Sequence, residues 1–139
     1  ALMMSFVALG CGFVDFEDVS DIPEFSDLMG REFVSMRETH LYGVSLDRDY
    51  APHVDKFEIL PVSIAGPEVV SSETLPPGTK ITVVSVLRCT NCWLDLEERI
   101  EVEVKFDPPR LQEEAKVRIN LEHLRGDEAA FQAVKLELR

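Results

Sequence analysis

Cys89-Thr90-Asn91-Cys92 is the densest concentration of reactive side chains in the sequence. Two thiols at this spacing have four uses. They can close a disulfide across a tight turn, as exported proteins do in an oxidising compartment. They can form half of a zinc site, which wants four ligands. They can exchange disulfides, given a helix N-terminus to lower a thiol pKa. Or they remain free thiols with no special role. For zinc, the other candidate ligands are Cys11 and the scattered His40, His53 and His123. For redox exchange, the pair follows a strand-like run and Trp93 comes after it, not before. A disulfide is therefore the leading expectation. Closing so short a loop stabilises by about 2 kcal/mol on the chain-entropy account.

The remaining chemistry-bearing residues form no legible constellation. Asp47-Arg48-Asp49 could offer oxygens to Ca²⁺ or to a cationic group, but Arg48 between the acids favours a polar turn. Tyr50 and Trp93, with Asp47 and Asp49, are the candidate partner-binding residues, because aromatic side chains are enriched at recognition surfaces. Tyr42 is expected in the core. Gly-x-Ser-x-Gly, Walker, Gly-x-Gly-x-x-Gly, His-Glu-x-x-His and EF-hand patterns are missing from the sequence. No catalytic residue, cofactor or metal is expected.

The chain that must position these residues has 139 residues, enough for one domain with its own core. It is 45% hydrophobic and 29% charged, which excludes general disorder. The formal charge is −12. That argues against nucleic acid, whose phosphates call for Lys and Arg, and against anionic lipid headgroups. No run reaches the roughly 18–20 apolar residues of a membrane-spanning helix.

Residues 1–13 carry no charge, and the apolar run within them ends in the small residues Gly10, Cys11 and Gly12. This has the character of a secretory signal core, or of an apolar element packed on the domain. Ala8-Leu9-Gly10-Cys11 resembles a bacterial lipobox. That resemblance implies lipidation of Cys11, which becomes the N-terminus after cleavage and holds the protein to a membrane. Residues 14–31 read as an acidic linker or short helix. Ile22, Phe25, Leu28 and Met29 mark one apolar stripe, so a helix is expected over 23–29, opened by Pro23 and closed by Gly30. The carboxylates on it could tether the domain or receive a cationic partner; the plainer reading is a solvated face.

From residue 32 to 139 the period is two, which predicts a single β-rich domain. Residues 100–106 alternate apolar and charged without a fault. Residues 117–122 and 134–138 repeat the pattern. Residues 80–87 are apolar and β-branched, as in a central strand. Residues 33–46 hold one bent strand or two short ones, and 57–64 a further strand interrupted by Pro61. One more helical turn is expected over 128–132, capped by Asp127. The fold class is mainly β: a small SH3-like barrel or sandwich of six or seven short strands with one or two short helices. The SH3-like part rests on Leu75-Pro76-Pro77-Gly78-Thr79-Lys80-Ile81-Thr82-Val83-Val84-Ser85-Val86 followed by Trp93, which resembles the opening strand of bacterial SH3-like domains.

With the N-terminus, the chain resembles a small bacterial envelope lipoprotein. This resemblance implies a non-catalytic binding module on the periplasmic face of a membrane, recognising a protein, peptide or glycan. The alternative is an acidic immunity or inhibitor protein that neutralises a basic toxin or enzyme, since opposite charge steers such association.

Overall fold

Val102, Val104 and Phe106 are buried while Lys105 and Asp107 are exposed. The alternating run therefore folds as a strand with one face inward, Ile100–Asp107. It belongs to a computed structural model that describes residues 15–45, 53–66, 68–92, 99–111, 115–126 and 129–134. Among these residues the chain is mainly β, with β1 (Phe16–Asp18), β2 (Glu32–Ser35), β3 (Thr39–Val44), β4 (Lys56–Leu60), β5 (Val69–Leu75), β6 (Lys80–Cys89), β7 (Ile100–Asp107), β8 (Val117–Asn120) and β9 (Phe131–Ala133). The strands form one mixed sheet in the order β5-β3-β4-β8-β7-β6-β2-β9, with β1 also on β6. All described pairings are antiparallel except β4 with β8.

The sheet is not closed; among the described strands β5, β9 and the short β1 each have one partner only. It does fold over its apolar face. Arg110, just after β7, pairs with Glu73 of β5 although β3, β4 and β8 lie between those strands. The end of β2 is likewise tied to the β5–β6 turn. Ser35 Oγ donates to the Pro76 carbonyl at 3.1 Å and accepts from the Thr79 N–H at 2.9 Å. The core inside this curl includes Leu41, Ile59, Leu75, Ile81, Val104 and Phe131, so β5 and β9 at the two ends of the strand order both contribute to it.

The long strand β6 organises the sheet. It pairs with β7 on one side and with β1 and β2 on the other. A register shift between Val83 and Ser85 inserts one residue against β7. The extra residue reverses the side-chain parity. Ile81, Val83 and Val86 are therefore all buried, and Val84 is exposed.

On the other side, β1 and β2 behave as one strand interrupted by residues 20–29. The Val19 N–H donates to Val86 O before the interruption, and the Gly30 N–H to Val83 O after it. Gly30 takes the positive φ, 74°, needed for that return. Within the insert, Phe25 bonds back to Ile22, Leu28 to Phe25 and Arg31 to Leu28, each from its N–H to the carbonyl three residues earlier. Phe25 and Leu28 are thereby sunk into the core. Asp15, Glu17, Asp18, Asp21, Glu24 and Asp27 stay exposed.

Several local expectations are corrected. The helix over 23–29 is only a 3-10 turn, Pro23–Phe25. Ile22, Phe25 and Leu28 recur every three residues, the period of the i→i+3 bonds that form. The helical turn expected over 128–132 gives way to β9, because Phe131 pairs with Ser35 at the open edge of β2 and buries its ring. Residues 33–46 are two strands, and the break falls at 36–38. Gly43 lies inside β3, where a Cβ would come 2.9 Å from Val54 Cγ2. The strand expected over 117–122 stops at Asn120, whose Oδ1 accepts the Glu122 N–H and caps a second 3-10 turn, Leu121–His123. The strand over 57–64 ends at Leu60, before Pro61. Of the run 134–138, the Val134 N–H continues the bonding of β9 to Glu32 O; the rest lies outside the described residues.

Candidate functional site

Since Val86, Val102, Ile119 and Ile59 face the core, their neighbours along each strand face outward. Leu87, Glu101 and Asn120 form one row across β6, β7 and β8. Glu103, Arg118 and Glu58 form the next across β7, β8 and β4. At the other end Phe16 pairs with Cys89, whose N–H donates to Arg99 O. An outer face of alternating charges should be fully hydrated. This one is not, because its arginines lie down over it.

Glu101 is only 4% exposed. Its Oε2 accepts from Arg99 Nε at 3.1 Å and lies 2.9 Å from Arg99 Nη2. Its Oε1 stands 3.8 Å from Arg118 Nη1, an ion pair too long for a hydrogen bond. The guanidinium carbon of Arg118 lies 4.9 Å from the centre of the Phe16 ring, and that of Arg99 5.9 Å. Both cations are thus attracted to one aromatic face system while facing one buried carboxylate. Burial of such charges is costly unless each finds partners.

The partnering is incomplete. Glu101 Oε1, Arg118 Nε and His123 Nδ1 are buried and have no hydrogen-bond partner. All three residues line one depression of about 160 Å³ between β4, β7, β8 and the Leu121–His123 turn. Buried polar atoms are nearly always satisfied, so three orphans around one depression single it out. A larger cavity of about 380 Å³ opens on the inner side, beneath the β7–β8 connection, with Phe106, Leu111 and Val117 among its walls.

The Cys89–Cys92 pair is joined as a disulfide, with Cα atoms 5.7 Å apart. It sits at the rim of the Phe16–Arg99 end of this face, where it fixes the start of the β6–β7 connection. Asn91, inside the loop it closes, accepts the Asp15 N–H on its Oδ1, and the Thr90 N–H donates to Asp15 O. The disulfide thus secures β1, and with it Phe16.

The other site expectations divide plainly. Cys11, Asp47, Asp49, Tyr50 and Trp93 lie outside the described residues. Tyr42 is buried, as expected, but on the outer side of β3. Its hydroxyl accepts the Ile64 N–H at 3.0 Å and donates to Val62 O at 3.3 Å, which pins the segment after β4. The histidines stay apart in role: His40 lies beside the Tyr42 ring, His53 pairs with Asp55, and His123 alone reaches the depression. Sequence reasoning missed Glu101 and Arg118, because a charged residue in an alternating strand reads as solvated. The available signal was Arg99 two residues from Glu101, on the same strand face.

Compared with protein-family models, with curated proteins and with solved structures, the chain matches none.

Proposed function

We propose that this chain is a non-catalytic binding module of the bacterial cell envelope, anchored by lipid on Cys11, which recognises a protein partner through the outer face of β7 and β8. The observation that carries the reading is that Glu101, Arg118 and His123, each with an unpartnered buried polar atom, line one depression. Groups held this way, with binding capacity unused, are suited to a partner that completes their hydrogen bonds. The Cys89–Cys92 disulfide supports an oxidising compartment. The lipobox-like Ala8-Leu9-Gly10-Cys11 supports anchoring, and the SH3-like run 75–86 supports binding over catalysis.

Affinity capture from detergent-solubilised envelopes tests the reading, using wild type and an E101Q/R118Q double variant checked for equal folding. The reading predicts a partner retained by wild type and reduced at least tenfold with the variant. Equal capture by both contradicts it. Intact mass from the membrane fraction tests the anchor: a chain beginning at acylated Cys11 supports it, and an unprocessed N-terminus sinks it.

One observation favours a second reading, the acidic inhibitor. Phe25 and Leu28 hold the segment 15–31 against the core with six carboxylates facing solvent. A fixed acidic surface steers a basic protein into contact. One-to-one binding to a single basic protein, weakening steeply with salt, would favour that reading over the first.

A further inference from the structure

We infer that the depression at Glu101 and Arg118 is a subsite for a primary carboxamide, the side-chain group of an Asn or Gln residue on a partner protein. The inference rests on the binding-module reading and names the chemistry of its site. Glu101 Oε1 is an acceptor lacking a donor, and Arg118 Nε–H is a donor lacking an acceptor. An ammonium would satisfy only the first, and a carboxylate only the second. The ligand must therefore both donate and accept.

The charges around the depression point the same way. Arg99 and Arg118 are matched by Glu101, which they face, and by Glu122, which also lines the depression, while Glu58 is already paired with Lys56 at 2.8 Å. A site so balanced has no strong preference for a net charge. A hydrogen-bonding neutral group fits it better than an ion.

A hydroxyl has one proton and cannot serve both Glu101 Oε1 and His123 Nδ1, so amides are left, and amide geometry selects among them. In a trans secondary amide the N–H and C=O point in opposite directions. The peptide backbone and the N-acetyl groups of glycans are of that kind. A primary carboxamide carries one N–H on the same side as its oxygen, so donor and acceptor lie side by side. Glu101 Oε1 and the Arg118 guanidinium offer the complementary pair, with Nη1 3.8 Å from Oε1. The second N–H of the carboxamide is left for His123 Nδ1, the third orphan, which accepts it in the tautomer that carries its proton on Nε2. Entry requires the Arg118 side chain to rotate, because Oε1 and Nε are both closed to water in this arrangement.

The test is an NMR titration of the full mature protein, following backbone amides and the Arg Nε–H signals. The probes are N-acetylasparagine N-methylamide, whose only primary carboxamide is its side chain, its Asp counterpart with a side-chain carboxylate, and N-acetylglucosamine. The first should shift the Arg118 Nε–H and the amides of β7 and β8 saturably, at least fivefold more tightly than either other probe. E101Q and R118K should each weaken it at least fivefold. R118K retains the charge and loses the fork, so it separates hydrogen bonding from charge even if E101Q fails to fold. No saturable shift, or tighter binding of the glucosamine or carboxylate probe, overturns the carboxamide subsite. If the partner captured above still depends on Glu101 and Arg118 in that event, the binding-module reading stands and only its ligand chemistry falls.

Discussion

Arg118 of β8 places its guanidinium carbon 4.9 Å from the ring centre of Phe16 in β1, across the intervening β6 and β7. A long side chain lying over the sheet in this way shields what is beneath it. Here it shields Glu101, leaving the carboxylate 4% exposed on a face that local sequence would assign to water. The contact joins the first described strand to the eighth, and the disulfide at Cys89 stands at its end.

The interrupted strand predicts a large cost for Phe25→Ala. Phe25 is 1% exposed and packs in the core from the insert between β1 and β2. Removing a buried Phe ring costs about 3–5 kcal/mol. Urea unfolding should show a loss of that order, with amide protection falling first at residues 16–19. A loss below about 1 kcal/mol would mean that the insert does not close the core.

Thr39→Val should be neutral or stabilising, by up to about 1–2 kcal/mol. Thr39 is fully buried, and its hydroxyl has no hydrogen-bond partner. Valine keeps the shape and removes the orphaned group. The urea midpoint should hold or rise; a clear fall would show that the hydroxyl is bonded in solution.

Reducing or removing the disulfide should matter little globally and much locally. The closed loop is short, so Cys89→Ser with Cys92→Ser should cost about 2 kcal/mol. Because Thr90 and Asn91 hold Asp15 beside it, the largest chemical-shift changes should fall on residues 15–18 and 99–101. Changes spread evenly over the sheet would contradict this placement.

Asp18 supplies a pH dependence with a definite sign. The hydroxyl and the N–H of Ser20 hydrogen-bond its carboxylate and lower its pKa below the ordinary 3.8. A folded-state pKa below the unfolded one gives stabilisation that is present above the unfolded value and disappears as pH falls through the folded one. Carboxyl ¹³C titration should find Asp18 titrating below 3.8. In Asp18→Asn the corresponding part of the acid-side stability slope should vanish. An Asp18 midpoint at or above 3.8 would contradict the Ser20 contact.

The sequence made the β class legible because the alternation in β7 and the β-branched run in β6 are each consistent with their neighbours. It did not reveal β5, where Ser71, Ser72, Glu73 and Thr74 are all exposed and no alternation survives. Nor did it reveal β1, whose Phe16–Asp18 pairing is short and flanked by acids. Phe131 was drawn into a strand by the free edge of β2, a tertiary partner that local propensity cannot express. The site was hidden for a similar reason. Glu101 and Arg118 become one cluster only through the β7–β8 register, which sets Glu103 opposite Arg118 and Glu101 opposite Asn120.

Position-specific photo-crosslinking in the native cell tests the central claim most directly. A photoreactive residue at Asn120, on the outer face, is compared with one at exposed Val70 in β5 and one at exposed Val84 in β6. The binding-face account predicts a discrete protein adduct from Asn120, weak or missing at Val70 and Val84, and diminished when R118Q is added. An adduct from Val70 or Val84 with none from Asn120, or an Asn120 adduct indifferent to R118Q, would place recognition elsewhere on the molecule.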